Sequence, residues 1–223
     1  MALTNIQLIN LALEQSGLDS SFQTKARTWL NHVSLKLAER QDYPKFNTQS
    51  NIPFVSGQRA YDLPATFLRS DSAYLYKNAE DQRGVDILLV SKYMFDKYRV
   101  SASGNPSIAT IDEDNNQIIF NSIPNNALQG CRLRYFRKPV AIATDTTNDN
   151  DTPDFPDQDL LLQELQVMAY EFVGDPREQS KAQQAMATKR DFQKNMYNDD
   201  SFSQISLENT HFRPTSRRGR RGF

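Results

Sequence analysis

A chain of 223 residues is long enough for one domain, or one domain carrying an insertion, but 38% hydrophobic residues and a mean hydropathy of −0.66 make it polar for its size. Its formal net charge of −1 argues against the strongly basic face that bulk nucleic-acid binding needs, and no apolar run reaches the roughly 18 residues needed to span a bilayer. The start, MALTNIQLIN, lacks the basic flank of a signal peptide, and a single cysteine, Cys131, precludes an intrachain disulfide, so a reducing interior without export is expected.

Thr4 and Gln7 stand at capping-box spacing, with Leu3 and Leu8 placed for a hydrophobic staple. The helix that follows runs through Ile6, Ile9 and Leu13 to a stop at Gly17. A second helix is predicted to start near Ser20, again with a glutamine, Gln23, three residues on. Phe22, Ala26, Trp29, Leu30, Val33 and Leu37 fall three and four apart on one face of it, and Tyr43-Pro44 ends it. The short link makes residues 1–46 an antiparallel helical hairpin. His32 lies one residue off the apolar face and has no partner at ligand spacing, so it reads as a boundary residue rather than a metal ligand.

Residues 47–143 read as an inserted β-module, most clearly over 54–139, where runs rich in Ile, Val, Tyr and Phe alternate with turn formers. Strands are predicted at 60–63 (stopped by Pro64, with Phe67 and Leu68 packing under the turn), at 72–76 and at 85–90, the last two joined by a polar loop at 77–84. Residues 91–98 form a helical turn capped by Ser91, with Tyr93, Met94 and Lys97 at helical spacing. After a turn at Gly104-Asn105-Pro106, a hairpin of 108–111 and 117–120 surrounds the acidic turn DEDNN. A further turn at 121–130 leads to a last strand at 132–136, and Cys131 beside it reads as a buried strand residue rather than a nucleophile. DEDNN opens as calcium loops do. Counting from Asp112, however, Gln117 stands where such loops need glycine and Ile123 where they need glutamate, so a solvated hairpin tip is expected.

Residues 144–199 read as a linker and the helices that complete the bundle. Six aspartates and no lysine or arginine fall between Asp145 and Asp159. Paired carboxylates can do acid–base work, but flexible flanks do not fix their separation. A solvated loop is expected, with Asp154 and Asp157 favouring the positive start of the next helix. That third helix is placed with Pro156 in its first turn. Its apolar face is Leu161, Leu165, Met168 and Phe172, widened by Leu160, Leu162 and Ala169, and Gly174 is its stop. Asp175-Pro176-Arg177-Glu178 opens a fourth helix reaching about residue 198. Its face of Ala182, Ala185, Met186, Phe192 and Met196 is thin enough to suit close packing or a neighbouring subunit.

Residues 200–223 lose the helical period. Apolar anchors Phe202, Ile205, Leu207, Phe212 and Phe223 are set among Arg213, Arg217, Arg218, Arg220 and Arg221, with no acid after Glu208. An extended arm that orders on a partner is expected. The fold class is therefore α+β: an antiparallel helical bundle of two N-terminal and two C-terminal helices, an inserted antiparallel β-sandwich or barrel-like module, and an extended C-terminal arm. GxGxxG, GxxxxGK[ST], GxSxG, HExxH and paired CxxC motifs are all absent, and the only histidines are His32 and His211. No enzyme activity, cofactor or metal is expected.

Taken in order, these features resemble the head-to-tail adaptor (connector, or tail tubular A-type) proteins of tailed bacteriophages, especially short-tailed ones. The resemblance covers nearly the whole chain: the LINLALEQSG helix, a long helix ending at Tyr-Pro, the Tyr-Asp-Leu-Pro strand end followed by Phe-Leu-Arg, the Gly-Asn-Pro turn, the acidic hairpin, the proline after Phe120-Asn121-Ser122-Ile123, the Tyr-Phe-Arg-Lys-Pro strand, two closing helices and a tail. It implies a structural virion protein of the neck, assembled in the host cytoplasm as a ring, typically of twelve copies, below the portal. The implied partners are the portal protein, a downstream tail nozzle or knob protein, further copies of the chain, and double-stranded DNA that passes without specific binding; no membrane is involved. In some relatives the C-terminal segment reaches the portal, a role that falls by position on the arm from residue 200 and its anchors and arginines. The aspartates between Asp145 and Asp159, or acids of the fourth helix, are expected to face solvent or the lumen. Two other readings stay open on the residues: a nucleic-acid-binding protein acting through the arginine-rich tail, and another virion neck or tail ring protein. A small enzyme is a third, with no constellation to speak for it.

Overall fold

In the computed structural model, which describes residues 2–77, 84–98, 101–124, 130–143, 145–147 and 149–198, the chain is α+β, with five helices and a curled, mixed seven-stranded sheet among those residues. Helix α1 (Asn5–Ser16) has the expected capping box: the Thr4 hydroxyl accepts from the Gln7 N–H, and the Gln7 carboxamide accepts from the Thr4 N–H. Gly17 ends it at φ 74°, a left-handed conformation open to glycine at little strain. Helix α2 (Gln23–Arg40) starts later than predicted. The Asp19 carboxylate accepts from the Ser21 N–H and holds residues 20–22 in a 3-10 turn, while Gln23 reaches across to donate to Asn10 on α1 at 2.7 Å.

The sheet begins with a strand that its sequence does not announce. β1 (Asn47–Pro53) pairs antiparallel with β9 (Gly130–Arg137), so Gly130 opens a strand rather than closing a turn. A Cβ at Gly130 would stand 2.4 Å from the Ile52 carbonyl oxygen, so only glycine lets β1 and β9 approach there. Between them lie β2 (Ala60–Asp62), β3 (Phe67–Tyr76), β4 (Val85–Val90), the short helix α3 (Lys92–Phe95) capped by Ser91, β5 (Ser101–Gly104), β6 (Ile108–Asp112), β7 (Gln117–Phe120) and β8 (Ser122–Pro124). Phe67 and Leu68 belong to β3, which is longer than the predicted 72–76.

Strand order is β1-β9-β3-β4-β6-β7-β2, with β5 and β8 forming a separate pair. The sheet is not the purely antiparallel one expected: β4–β6 and β5–β8 are parallel. Residues 91–107, carrying α3 and β5, give the chain the length to cross over and re-enter in the same direction, which a tight hairpin does not. β4 also divides its pairing. Val85, Asp86 and Ile87 face β3, whereas Leu88, Leu89 and Val90 face β6, so one strand passes between two halves of the sheet and the whole curls. The turn 112–116 closes on Asn116 at φ 52°, a conformation asparagine tolerates. Of the predicted connections, most of the 77–84 loop and residues 125–129 of the 121–130 turn lie outside the described residues.

Helix α4 (Gln158–Val173) starts two residues after Pro156, because the Asp157 carboxylate takes the cap and accepts from the Leu160 N–H. Gly174 closes it at φ 71°. Helix α5 (Glu178–Asn198) also starts later than predicted, since Asp175 binds the N–H and guanidinium of Arg177 in a turn of its own. α4 packs against α1, α2 and α5. Leu8, Ile9, Leu30, Leu160, Leu161 and Leu165 are fully buried in a core shared by α1, α2 and α4, each contributing about 2 kcal/mol by removal from water. A second core, built on Tyr61, Leu75, Ile118, Phe120, Cys131 and Leu133, lies within the strands.

Candidate assembly surface

Two arginines and one aspartate lock the strands onto the helices. Arg69 of β3 donates to the Glu39 carbonyl at 2.9 Å and to the Gln41 carbonyl, pairs with Asp42, and stacks 4.8 Å from the Phe136 ring centroid. It thereby caps the C-terminal carbonyls of α2, where the helix dipole favours a cation. Arg137 at the end of β9 binds both oxygens of Asp154 at 2.7 and 3.0 Å; the same carboxylate accepts from the Val140 N–H at 2.9 Å and lies 3.8 Å from Lys45. Burial pushes the Asp154 carboxyl up, but Arg137, the Val140 N–H and Lys45 prevail and hold it below the ordinary carboxylate range.

The expected solvated acidic loop is only partly so: Asp145, Asp151 and Asp159 are exposed, but the other three aspartates are engaged. Asp149 is buried and accepts from Arg27 at 2.6 and 3.0 Å, a two-point fit between guanidinium and carboxylate. The carbonyls of Asp149 and Asp151 accept the first-turn N–H groups of Ile6 and Asn5, satisfying donors that a helix start leaves open. Asp154 bridges three elements and Asp157 caps α4. Two carboxamides add backbone clamps: Asn31 exchanges two 2.7 Å hydrogen bonds with the Ile142 peptide groups, and Gln158 does the same with Leu3 at 2.8 and 3.0 Å.

The acidic hairpin is likewise only partly solvated. Asp112 is buried and accepts from Asn115 at 2.9 Å and Lys92 at 3.2 Å, which hold its carboxyl below the ordinary range; Glu113 and Asp114 are exposed. Cys131 is buried, which pushes its thiol up to about 12. His32 is exposed beside Asn31. Among the described residues no group of three or more His, Cys, Asp or Glu side chains could hold a metal ion, and no helix is long and apolar enough to cross a membrane.

What the surface offers instead is apolar contact area. At the end of α4, Phe172 and Val173 are exposed, with Phe172 packed 5.5 Å from Trp29 and 5.7 Å from Phe22, and Lys25 set 3.6 Å over its ring. Phe172 was expected inside. Tyr170 and Gln166 hold the interior instead, because the C-terminal end of α1 provides a partner for each: Tyr170 donates to the Gln15 carbonyl at 2.8 Å and Gln166 to the Gln15 side chain. Leu88 on β4, with Tyr93 and Met94 on α3, is a second set of exposed apolar side chains. α5 is a third: Ala185 is its one buried residue among the described side chains, and Met186 is 61% exposed. The side chains of Phe192 and Met196, expected on its apolar face, lie outside those described, as do all ten tail residues: Phe202, Ile205, Leu207, Phe212, Arg213, Arg217, Arg218, Arg220, Arg221 and Phe223.

The chain belongs to the SU10 adaptor protein family, whose sequence model matches residues 4–214 and so includes the tail as far as Pro214. This makes it a structural adaptor protein of a phage, in a family of virion components that associate with portal and tail proteins rather than of enzymes. No curated protein matches the chain.

Proposed function

We propose that the protein is the head-to-tail adaptor of a short-tailed phage, assembled in the host cytoplasm and seated in the virion neck. About a dozen copies form a ring below the portal, extend the channel through which double-stranded DNA leaves, and present the docking surface for a tail nozzle or knob. The observation that carries this reading is the family match over residues 4–214. In it, α1, α2, α4 and α5 make up an antiparallel bundle and residues 47–143 a sandwich-like insertion. The arm of residues 200–223 docks on the portal through its apolar anchors and arginines. The net charge of −1 supports the channel role, because a conduit that gripped phosphate would slow the passage of DNA.

The test is the solution mass of the protein, alone and mixed with its phage's portal ring. A protein that joins the portal in about a dozen copies is the expected result. The five arginines after residue 212 favour one rival, nucleic-acid binding through the tail. A protein that ignores the portal and binds DNA in a salt-dependent way, lost when residues 217–221 are removed, overturns the adaptor reading in favour of that rival.

A further inference from the structure

The outer side of α2 carries a groove that no other helix lines among the described residues. Ala26, Leu30, Val33 and Leu37 form the buried inner stripe of α2. Leu35 lies two residues from both Val33 and Leu37, roughly 200° around the helix at 3.6 residues per turn. The chain leaving β9 passes along this outer side and is fastened there: Asn31 exchanges its two hydrogen bonds with the Ile142 peptide groups, and the Val140 N–H donates to Asp154. Between them, α2 and residues 138–141 enclose about 260 Å³, with Leu35, Pro139 and Val140 in its apolar walls and Val140 itself 65% exposed.

We propose that this groove receives helix α5 of a neighbouring copy, with Met186 as the inserted side chain. Met186 is 61% exposed, and α5 packs on α4 of its own chain without lining the groove. Methionine is unbranched and polarisable, which suits an irregular apolar recess. Charge fixes the register. Glu39 stands one turn beyond Leu35 on α2, and Arg190 one turn beyond Met186 on α5; both are exposed, and neither joins an ion pair among the described residues. Side chains four apart share a helix face, so seating Met186 beside Leu35 brings Arg190 to Glu39 when the two helices run in the same direction. One turn the other way, Ala182 falls against Asn31, whose carboxamide is already engaged with Ile142. Ala182, Gln183 and Met186 are uncharged, so Lys138 in the groove lining meets no like charge.

The fold supplies that common direction. The short turn after Gly174 folds α5 back along α4, against which it packs. Phe22, immediately before α2, has its ring 5.7 Å from that of Phe172 near the end of α4, so α2 also runs opposite to α4. α2 and α5 therefore point the same way, and rotating a copy about an axis along the helices preserves this. The helix offered and the groove that takes it are different surfaces of one chain. Such a contact is heterologous, and it closes into a ring when the rotation divides a full turn. The proposal rests on the ring reading above and names the contact that joins copy to copy.

Assembly of the full-length protein onto the portal ring tests the contact through charge exchange. Glu39→Arg and Arg190→Glu should each raise the protein concentration needed for assembly by about tenfold or more, since like charges then meet at every interface. Their urea midpoints should stay unchanged, because both side chains are exposed. A mixture of the two single variants should assemble as the unmodified protein does, because each then finds the opposite charge on the other. Rescue by the double Glu39→Arg/Arg190→Glu variant but not by the mixture places the pair within one chain and overturns the proposal. Assembly unaffected by either single variant overturns docking of α5 in the groove but leaves the adaptor reading standing. Failure of the unmodified protein to assemble with the portal overturns both.

Discussion

Helices α4 and α5 are neighbours in the chain, separated by the Gly174 turn, yet they are built for different surroundings. α4 buries Leu160, Leu161, Leu165, Gln166, Ala169 and Tyr170, whereas α5, though longer, buries Ala185 alone among its described side chains. Most helical stability in folded proteins comes from packing an apolar face rather than from intrinsic propensity. α4 satisfies that requirement inside the monomer. α5, read as EQSKAQQAMATKRD over its described side chains, buries too little there to do the same. The contrast separates a scaffold, with the acidic segment that leads into it, from an outward-facing element.

The largest effect is expected in that leading segment. Asp149→Ala leaves Arg27 buried without its carboxylate and should destabilise the fold by about 3–5 kcal/mol, read from urea unfolding. Leu165→Ala in α4 should cost about 2–5 kcal/mol by the same measurement, and a cost under about 1 kcal/mol would erase the distinction from α5. Asp154→Ala, which removes charge-assisted hydrogen bonds from a partly exposed junction, should cost about 2 kcal/mol.

The same aspartate gives a pH signature. Its carboxyl is held below the unfolded value of 3.8, so its stabilisation is complete above that value and is lost as pH falls through the lower folded one. The urea midpoint of the unmodified protein should therefore drop between about pH 5 and pH 3 more than that of Asp154→Asn. The smallest effect on folding belongs to α5. Met186→Ser should shift stability by no more than about 0.5 kcal/mol while weakening assembly, and a larger folding penalty would show that α5 is part of the core after all.

What could be read in the sequence was what neighbours in the chain decide. The Thr4–Gln7 box, the stops at Gly17 and Gly174 and the Ser91 cap act within a few residues, and all stand where the residue pattern puts them. β1 escaped notice because an outer strand held by the backbone of β9 needs no apolar alternation, and NTQSNIP has none. Parallel pairing of β4 with β6 left no mark either, since strand direction depends on the path of the crossover rather than on local composition. The aspartates misled for a related reason. Asp149 finds its partner, Arg27, 122 positions away, and the only hint was that Arg27 lies three residues before Leu30, on the buried side of α2. Asn31 and Gln158 look like ordinary polar surface until the peptides they grip are in place. Of the candidate site, the tail was legible as composition, while the exposed Phe172 and the groove beside Val140 required the fold.

The docking of residues 149–158 onto the first helix has a consequence for how the chain comes into being. Each strand finds its partners among residues 47–137, whereas α1 and α2 cover their leucines only when α4 arrives. During synthesis the strands can therefore close on one another while the two earliest helices wait, apolar stripe uncovered, for more than a hundred further residues to be made. That separation makes closure of the helical core a slow, long-range step and gives the nascent chain its most aggregation-prone interval just before α4 emerges.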